Sequence, residues 1–220
     1  MKRTILAIAG MVLFVTAVTA QSKKESKSLT WGIRAGFNLQ NINGRDLLDN
    51  KLENKLVPRF HAGVNAELSL ADDFYVQPGL LFSTKGTKFK GSNSVLNLSY
   101  IEVPLNFLYK PVLGNGKLLL GVGPYFAFGI GGKLKPTNGN DASVVFENEV
   151  DVLQISSGRY YRGFDAGGNL LFGYEVNNNL SVQLNAQLGM LNISPEIKGV
   201  SNNNINLKNT GFGLSFGYRF

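Results

Sequence analysis

The sequence predicts an all-β fold: an eight-stranded antiparallel up-and-down transmembrane β-barrel with short periplasmic turns and long extracellular loops. Three observations predict it. An alternation of apolar and polar residues with period two returns eight times, the connections between these segments alternate short and long, and the chain opens with an export leader. Side chains point to opposite faces along a strand, so each segment meets an apolar medium on one side and a polar or crowded space on the other.

Lys2 and Arg3 form a basic start, Ile5 to Val18 an apolar run, and Val18-Thr19-Ala20 before Gln21 a small-x-small cleavage site. The apolar run is short of the roughly 20 residues a helix needs to cross a bilayer. A cleavable signal peptide over 1–20 is therefore expected, cut between Ala20 and Gln21, followed by a short periplasmic segment over 21–30 and the barrel over 31–220. The chain has no cysteine, which excludes an acylated N-terminal Cys, a disulfide framework, a thiolate metal site and a cysteine nucleophile.

The strands follow in order, each read by parity. Trp31, Ile33, Ala35, Phe37 and Leu39 oppose Gly32, Arg34, Gly36, Asn38 and Gln40. Phe60 to Leu70 on even positions oppose His61, Gly63, Asn65, Glu67 and Ser69. Phe74, Val76, Pro78, Leu80 and Phe82 oppose Tyr75, Gln77, Gly79, Leu81, Ser83 and Lys85. Ile101, Val103, Leu105, Phe107 and Tyr109 oppose Tyr100, Glu102, Pro104, Asn106, Leu108 and Lys110.

In the second half, Leu118 to Ile130 on even positions oppose Leu119, Gly121, Gly123, Tyr125, Ala127 and Gly129. Phe164 to Val176 oppose Asp165, Gly167, Asn169, Leu171, Gly173 and Glu175, and Leu180 to Met190 oppose Ser181, Gln183, Asn185, Gln187 and Gly189. The last segment places Thr210, Phe212, Leu214, Phe216, Tyr218 and Phe220 on one face, against Asn209, Gly211, Gly213, Ser215, Gly217 and Arg219.

A soluble β-sandwich also alternates, so the connections decide. Asp72-Asp73, Pro111 to Gly116 and Asn177 to Asn179 read as short turns. The links near Asn43 to Pro58, Gly86 to Val95, Gly132 to Arg162 and Ile193 to Lys208 read as longer loops. Long links at both ends of the series match a barrel with both chain ends in the periplasm. Closure also removes strand edges that hydrocarbon would not tolerate.

These residues resemble the PorT-like outer-membrane barrel family of Bacteroidetes-type bacteria, with OmpA-like and OmpX-like barrels as more distant architectural relatives. The resemblance rests on Ser99-Tyr100-Ile101-Glu102-Val103-Pro104-Leu105, similar to a recurrent Tyr-x-Glu-x-Pro strand, and on Gly123-Pro124-Tyr125-Phe126 after Leu118-Leu119-Leu120. Trp31 to Asn38 and Gly211 to Phe220 are also similar. The resemblance implies an outer-membrane location and, in the family's best-studied branch, a part in protein secretion. In proteins of this type a terminal aromatic strand resembles the signal read by the outer-membrane insertion machinery, which makes Phe220 the expected assembly signal.

Eight strands enclose a space that side chains can fill, and Tyr75, Tyr100 and Tyr125 are expected to fill it. The inward charges Arg34, Glu67, Glu102, Asp165, Glu175 and Arg219 form the expected interior polar network, with Lys85 and Lys110 at other heights. Arg34 and Glu67 are expected at one level, since a buried charge must be paired or solvated. Pro78, Pro104 and Pro124 cannot donate to a ladder and suggest bulges or bends in three successive strands.

No catalytic, cofactor or metal site is expected. His61 is the only histidine, Ser69, Ser83 and Ser99 sit in no nucleophile motif, and Asp72-Asp73 is a turn signal. Gly121-x-Gly123 and Gly167-Gly168 lie inside strands with no following helix, so a phosphate loop is not indicated. In the long segment 132–162, Val144-Val145-Phe146 and Val150 to Ile155 suggest a hairpin above the membrane, returning at Arg159 to Arg162.

The formal charge of +7 falls to about +5 once the leader leaves. Its Lys and Arg residues are scattered rather than striped, which points away from nucleic acid and toward the phosphates of outer-membrane lipid or lipopolysaccharide. The expected protein is a non-enzymatic monomer with a structural, envelope or secretion-associated role, contacting its partners through the extracellular loops. The alternative is a lipid- or small-ligand-handling barrel, either a narrow channel or a lipid A-modifying enzyme.

Overall fold

Apolar-polar alternation leaves each strand one buried and one apolar exposed face, and a sheet of such strands satisfies both by closing on itself. A computed structural model describes residues 29–46, 49–155, 159–177, 179–199 and 205–220. The leader, its cleavage point and residues 21–28 lie outside the described residues. The barrel strands are β1 (Leu29–Arg45), β2 (Val57–Ala71), β3 (Phe74–Phe89), β4 (Val95–Tyr109), β5 (Gly116–Lys135), β6 (Phe164–Val176), β7 (Leu180–Gly189) and β8 (Asn206–Arg219). Each pairs antiparallel with the next, and β8 returns to β1 from Gly32↔Arg219 to Arg45↔Asn206. The result is a closed up-and-down barrel.

Parity holds in all eight strands, and on β5 as far as Gly129. Along β1, for example, Phe37 is 74% exposed while its neighbours Gly36 and Asn38 are buried. The outer wall is apolar, with Leu80, Val122, Leu170, Leu184 and Phe212 among its exposed side chains. At the lower end, Asp73 and Asn177 take positive φ values of 63° and 51°, a conformation that Asp and Asn tolerate better than most residues. Phe220 donates its backbone N–H to the Trp31 carbonyl at 2.9 Å, which ties the last residue to the first strand.

The upper end differs from the sequence reading. Much of what reads as loop is strand: the β3–β4 hairpin continues to Phe89 and Val95, leaving a link of five residues over 90–94. The predicted hairpin in 132–162 is not formed. Val145–Phe146 pairs in parallel with Tyr160–Tyr161, Glu149–Val150 pairs in parallel with Glu196–Ile197, and Val152–Ile155 is a short helix. An upright hairpin would leave its apolar residues in water. Folded down, Val144, Tyr161 and Ile193 are buried against Ile42, Leu96, Leu98 and Tyr100, with Phe146 packed alongside. Tyr161 is buried deeply enough that its phenol is pushed above its ordinary pKa.

The prolines do not carry bulges. The β3–β4 register is unchanged from Pro78↔Leu105 to Leu81↔Glu102, and the β4–β5 register from Pro104↔Tyr125 to Phe107↔Val122. Register shifts occur instead at Ser69/Ala71 and Ser99/Tyr100. At the second, Ser99 faces Gly131 and Tyr100 faces Gly129, so Ile130 is the extra residue and parity on β5 reverses above it. Leu134 therefore packs inward while Lys133 and Lys135 are exposed. Gly129 is needed here, because a Cβ would lie 2.4 Å from the Phe146 ring of the descending loop.

Candidate functional site

Lys110, just past the end of β4, and the inward residues of that strand, read upward from the lower end, give the layering of the lumen: Lys110, Leu108, Asn106, Pro104, Glu102, Tyr100, Leu98, Leu96. An ionic layer is followed by apolar, amide, ionic, aromatic and apolar layers. Two ionic clusters thus lie inside one barrel, each capped by apolar side chains.

In the lower cluster, Lys110 Nζ lies 2.9 Å from Glu67 Oε2 and 2.9 Å from Glu175 Oε1. Arg219 donates to both carboxylates, through its terminal guanidinium nitrogen to Glu67 and through Nε to Glu175 Oε2 at 3.4 Å. Gln77 Nε2 adds a bond of 3.0 Å to Glu67 Oε1. The Tyr75 ring faces the Lys110 ammonium at 5.0 Å. Two cations and two carboxylates, from β2, β6, β8 and the residue that follows β4, thereby tie four strands across the lumen.

In the upper cluster, Lys85 Nζ lies 3.1 Å from Glu102 Oε2 and 3.2 Å from Asp165 Oδ2. Asp165 Oδ2 also accepts from Tyr125 Oη at 3.2 Å and Asn209 Nδ2 at 2.9 Å, and Glu102 Oε1 accepts from Gln187 Nε2 at 2.6 Å. The ammonium stands 4.0 Å from the Tyr125 ring centre and 5.5 Å from that of Tyr100. Both rings are fully buried, as the expectation of a tyrosine-filled interior requires, whereas Tyr75 is half-buried.

Of the six network residues read from the sequence, Glu67, Glu175 and Arg219 meet in the lower cluster, and Glu102 and Asp165 meet through Lys85. Arg34 joins neither, and the expected Arg34–Glu67 level is corrected. The β1–β2 register sets Arg34 opposite Gly63 and Glu67 opposite Thr30, because β2 runs on below the start of β1. The Arg34 guanidinium makes no hydrogen bond or ion pair with a described residue. It lines a cavity of about 30 Å³ with Asn38, Gln40, His61, Asn106 and Asn169, room for about one water.

Sequence reasoning missed one constellation. Ser215 Oγ lies 2.9 Å from His61 Nε2, and His61 Nδ1 lies 3.1 Å from Asn38 Oδ1. With that oxygen as acceptor, the neutral ring donates from Nδ1 and accepts the Ser215 hydroxyl at Nε2. Nucleophile, base and orienter are in hydrogen-bond reach, and no local motif could reveal it because the three come from β1, β2 and β8. Ser215 has no exposed surface, however, and its hydroxyl also accepts from Asn185 Nδ2. The chain of bonds therefore reads as a strand tie. Ser215→Ala is expected to leave the acyl pattern of lipid A unchanged while costing about 1–3 kcal/mol, because it strands the His61 acceptor. Mass spectrometry of lipid A and urea unfolding in bilayers would check the two halves.

Comparison with known proteins accords with the geometry. The family model described as outer membrane protein beta-barrel domain matches residues 19–195. No curated protein matches in sequence. Among solved structures, the outer membrane protein OprG from Pseudomonas aeruginosa is similar at 15% identity and a TM-score of 0.48, over 88% of this chain and 97% of that one. Neisserial surface protein A is similar at 11% identity and 0.46, over 88% and 100%. A major outer membrane protein from Thermus thermophilus gives 14% and 0.45, over 88% and 100%. The family match and the closed ladder carry the assignment; these likenesses are too loose to add to it.

Proposed function

We propose, on the premise that this chain belongs to the outer membrane protein β-barrel domain family and is integral to the outer membrane, that it is a non-enzymatic envelope protein acting through its extracellular cap. The observation that carries this reading is the filled lumen. Two ionic clusters and the apolar cap of Val144, Phe146, Tyr161 and Ile193 occupy the interior at successive heights, which argues against free diffusion of solutes. What the protein offers to other molecules is then its upper surface, an ordered cap on a rigid scaffold. The PorT-like resemblance favours a surface or secretion-system protein as the partner.

Refolded protein in planar bilayers is expected to be electrically silent across salts, and discrete conductance steps would overturn the closed-lumen reading. A photo-crosslinking residue at Leu153, which is 89% exposed on the short cap helix, is expected to trap a protein adduct in intact cells. Recovery of uncrosslinked barrel alone would count against a contact role.

A further inference from the structure

The outward faces of β3, β4 and β5 change chemistry toward the upper end. Phe82, Ile101 and Phe128 share one row across the three strands, and the outward residues below them are almost all apolar. Above that row come Thr84 and Ser99, and then lysines. Lys55, in the two-residue strand Asn54–Lys55, is the direct partner of Lys88; Lys88 faces Val95, and Val95 faces Lys135. Lys133 stands one outward position lower, opposite Asn97, and reaches the outer face only because the Ile130 bulge reverses parity.

Directly opposed residues on one face have Cβ atoms about 5 Å apart, where like charges destabilise the pair. Neighbouring acids do not relieve the row. Lys90 is engaged by Glu53, whose carboxyl that hydrogen bond holds below its ordinary pKa, and Asp141 lies 3.9 Å from Lys135. The side chains of Lys55, Lys88 and Lys133 form no ion pair with a described residue.

Lys133 and Lys88 stand level with positions four and six residues above the row of Phe82, Ile101 and Phe128. At about 3.3 Å per residue and a tilt near 40°, that is roughly 10 and 15 Å above the row of Phe82, Ile101 and Phe128. Flexible stems let the ammonium groups down toward the headgroup layer, which begins where the apolar wall gives way to polar residues.

We propose that Lys55, Lys88 and Lys133, with Lys135 at the margin, bind the phosphate groups of lipid A in the outer leaflet. Charge complementarity selects this occupant: the row lies on the lipid-facing wall rather than on the cap, and it presents unpaired cations where the leaflet presents phosphate anions. The assignment is independent of what the cap contacts.

The test uses the full chain in nanodiscs containing diphosphoryl lipid A or its dephosphorylated form. A Lys55→Gln/Lys88→Gln/Lys133→Gln variant is expected to retain at least about tenfold less diphosphoryl lipid A, with heat-modifiable migration on gels confirming the barrel. A Lys51→Gln/Lys198→Gln control is expected to match the parent, and Lys→Arg replacements at the three sites to restore retention. In lipid A-free zwitterionic detergent, Lys88→Gln is expected to unfold at the same or higher urea concentration, because an opposed charge has been removed. Equal retention by variant and parent, an equal loss with dephosphorylated lipid, or a matching loss in the control would each overturn the proposal. So would binding of a soluble polysulfate by the row without any effect on lipid A.

Discussion

Lys110→Ala is expected to destabilise the barrel by about 3–5 kcal/mol, the usual cost of removing one partner from a buried ionic group. Glu67 and Glu175 are both 2% exposed, and each has Lys110 as a 2.9 Å partner. Without the ammonium, Arg219 is left to balance two carboxylates, one of which it reaches through Nε at 3.4 Å. Arg219→Ala is expected to cost less, since its side chain is 11% exposed against 3% for Lys110, and Lys110 keeps its central place. The order Lys110→Ala above Arg219→Ala, read by urea unfolding in lipid vesicles, checks the assignment of the hub. Equal costs would mean that the carboxylates, not the lysine, organise the layer.

The two variants also separate structure from gating. A cluster that only ties strands loses stability when broken, with the bilayer still silent, because the upper cluster and the apolar cap remain. Conductance in Lys110→Ala alone would show that this layer is the barrier.

Strand identity was legible in the sequence because period two is local: each residue reports its own face through its own polarity. Register was not. Placing Arg34 against Glu67 required knowing how far β2 descends past the start of β1, and four residues of error set Glu67 beside Arg34 instead of beside Lys110 and Arg219. Lys85 and Lys110 read as inward charges, but their role as hubs depends on the order of strands around the ring and on heights set by the shear. The cap was illegible for a different reason. Val144, Phe146, Tyr161 and Ile193 lie in segments without periodicity, and only the open apolar top of the barrel tells them where to fold. The Asn38–His61–Ser215 chain joins residues from three strands, two of which meet only by closure of the ring. The prolines misled because missing donors weaken a ladder without shifting its register.

Lys85→Met is expected to be the other costly change, again by about 3–5 kcal/mol, and its repair distinguishes charge from packing. Glu102 and Asp165 would face one another beneath Tyr100, Tyr125 and Leu98, with only the small cavity that Glu102 shares with Arg34 beside them. Neutral donors would remain to each acid, Gln187 to Glu102 and Tyr125 and Asn209 to Asp165, so the loss is of charge balance more than of hydrogen bonding. Adding Glu102→Gln and Asp165→Asn to Lys85→Met removes every charge of the cluster while nearly conserving volume. That triple variant is expected to recover most of the lost stability, since a well-packed neutral core is often as stable as the ion pair it replaces. The amide oxygens of the new Gln and Asn can still accept from Gln187, Tyr125 and Asn209. A triple variant as unstable as Lys85→Met, measured in the same vesicles, would show that the methionine fails to pack between the two rings, and that the 4.0 Å contact with Tyr125 matters more than the acids.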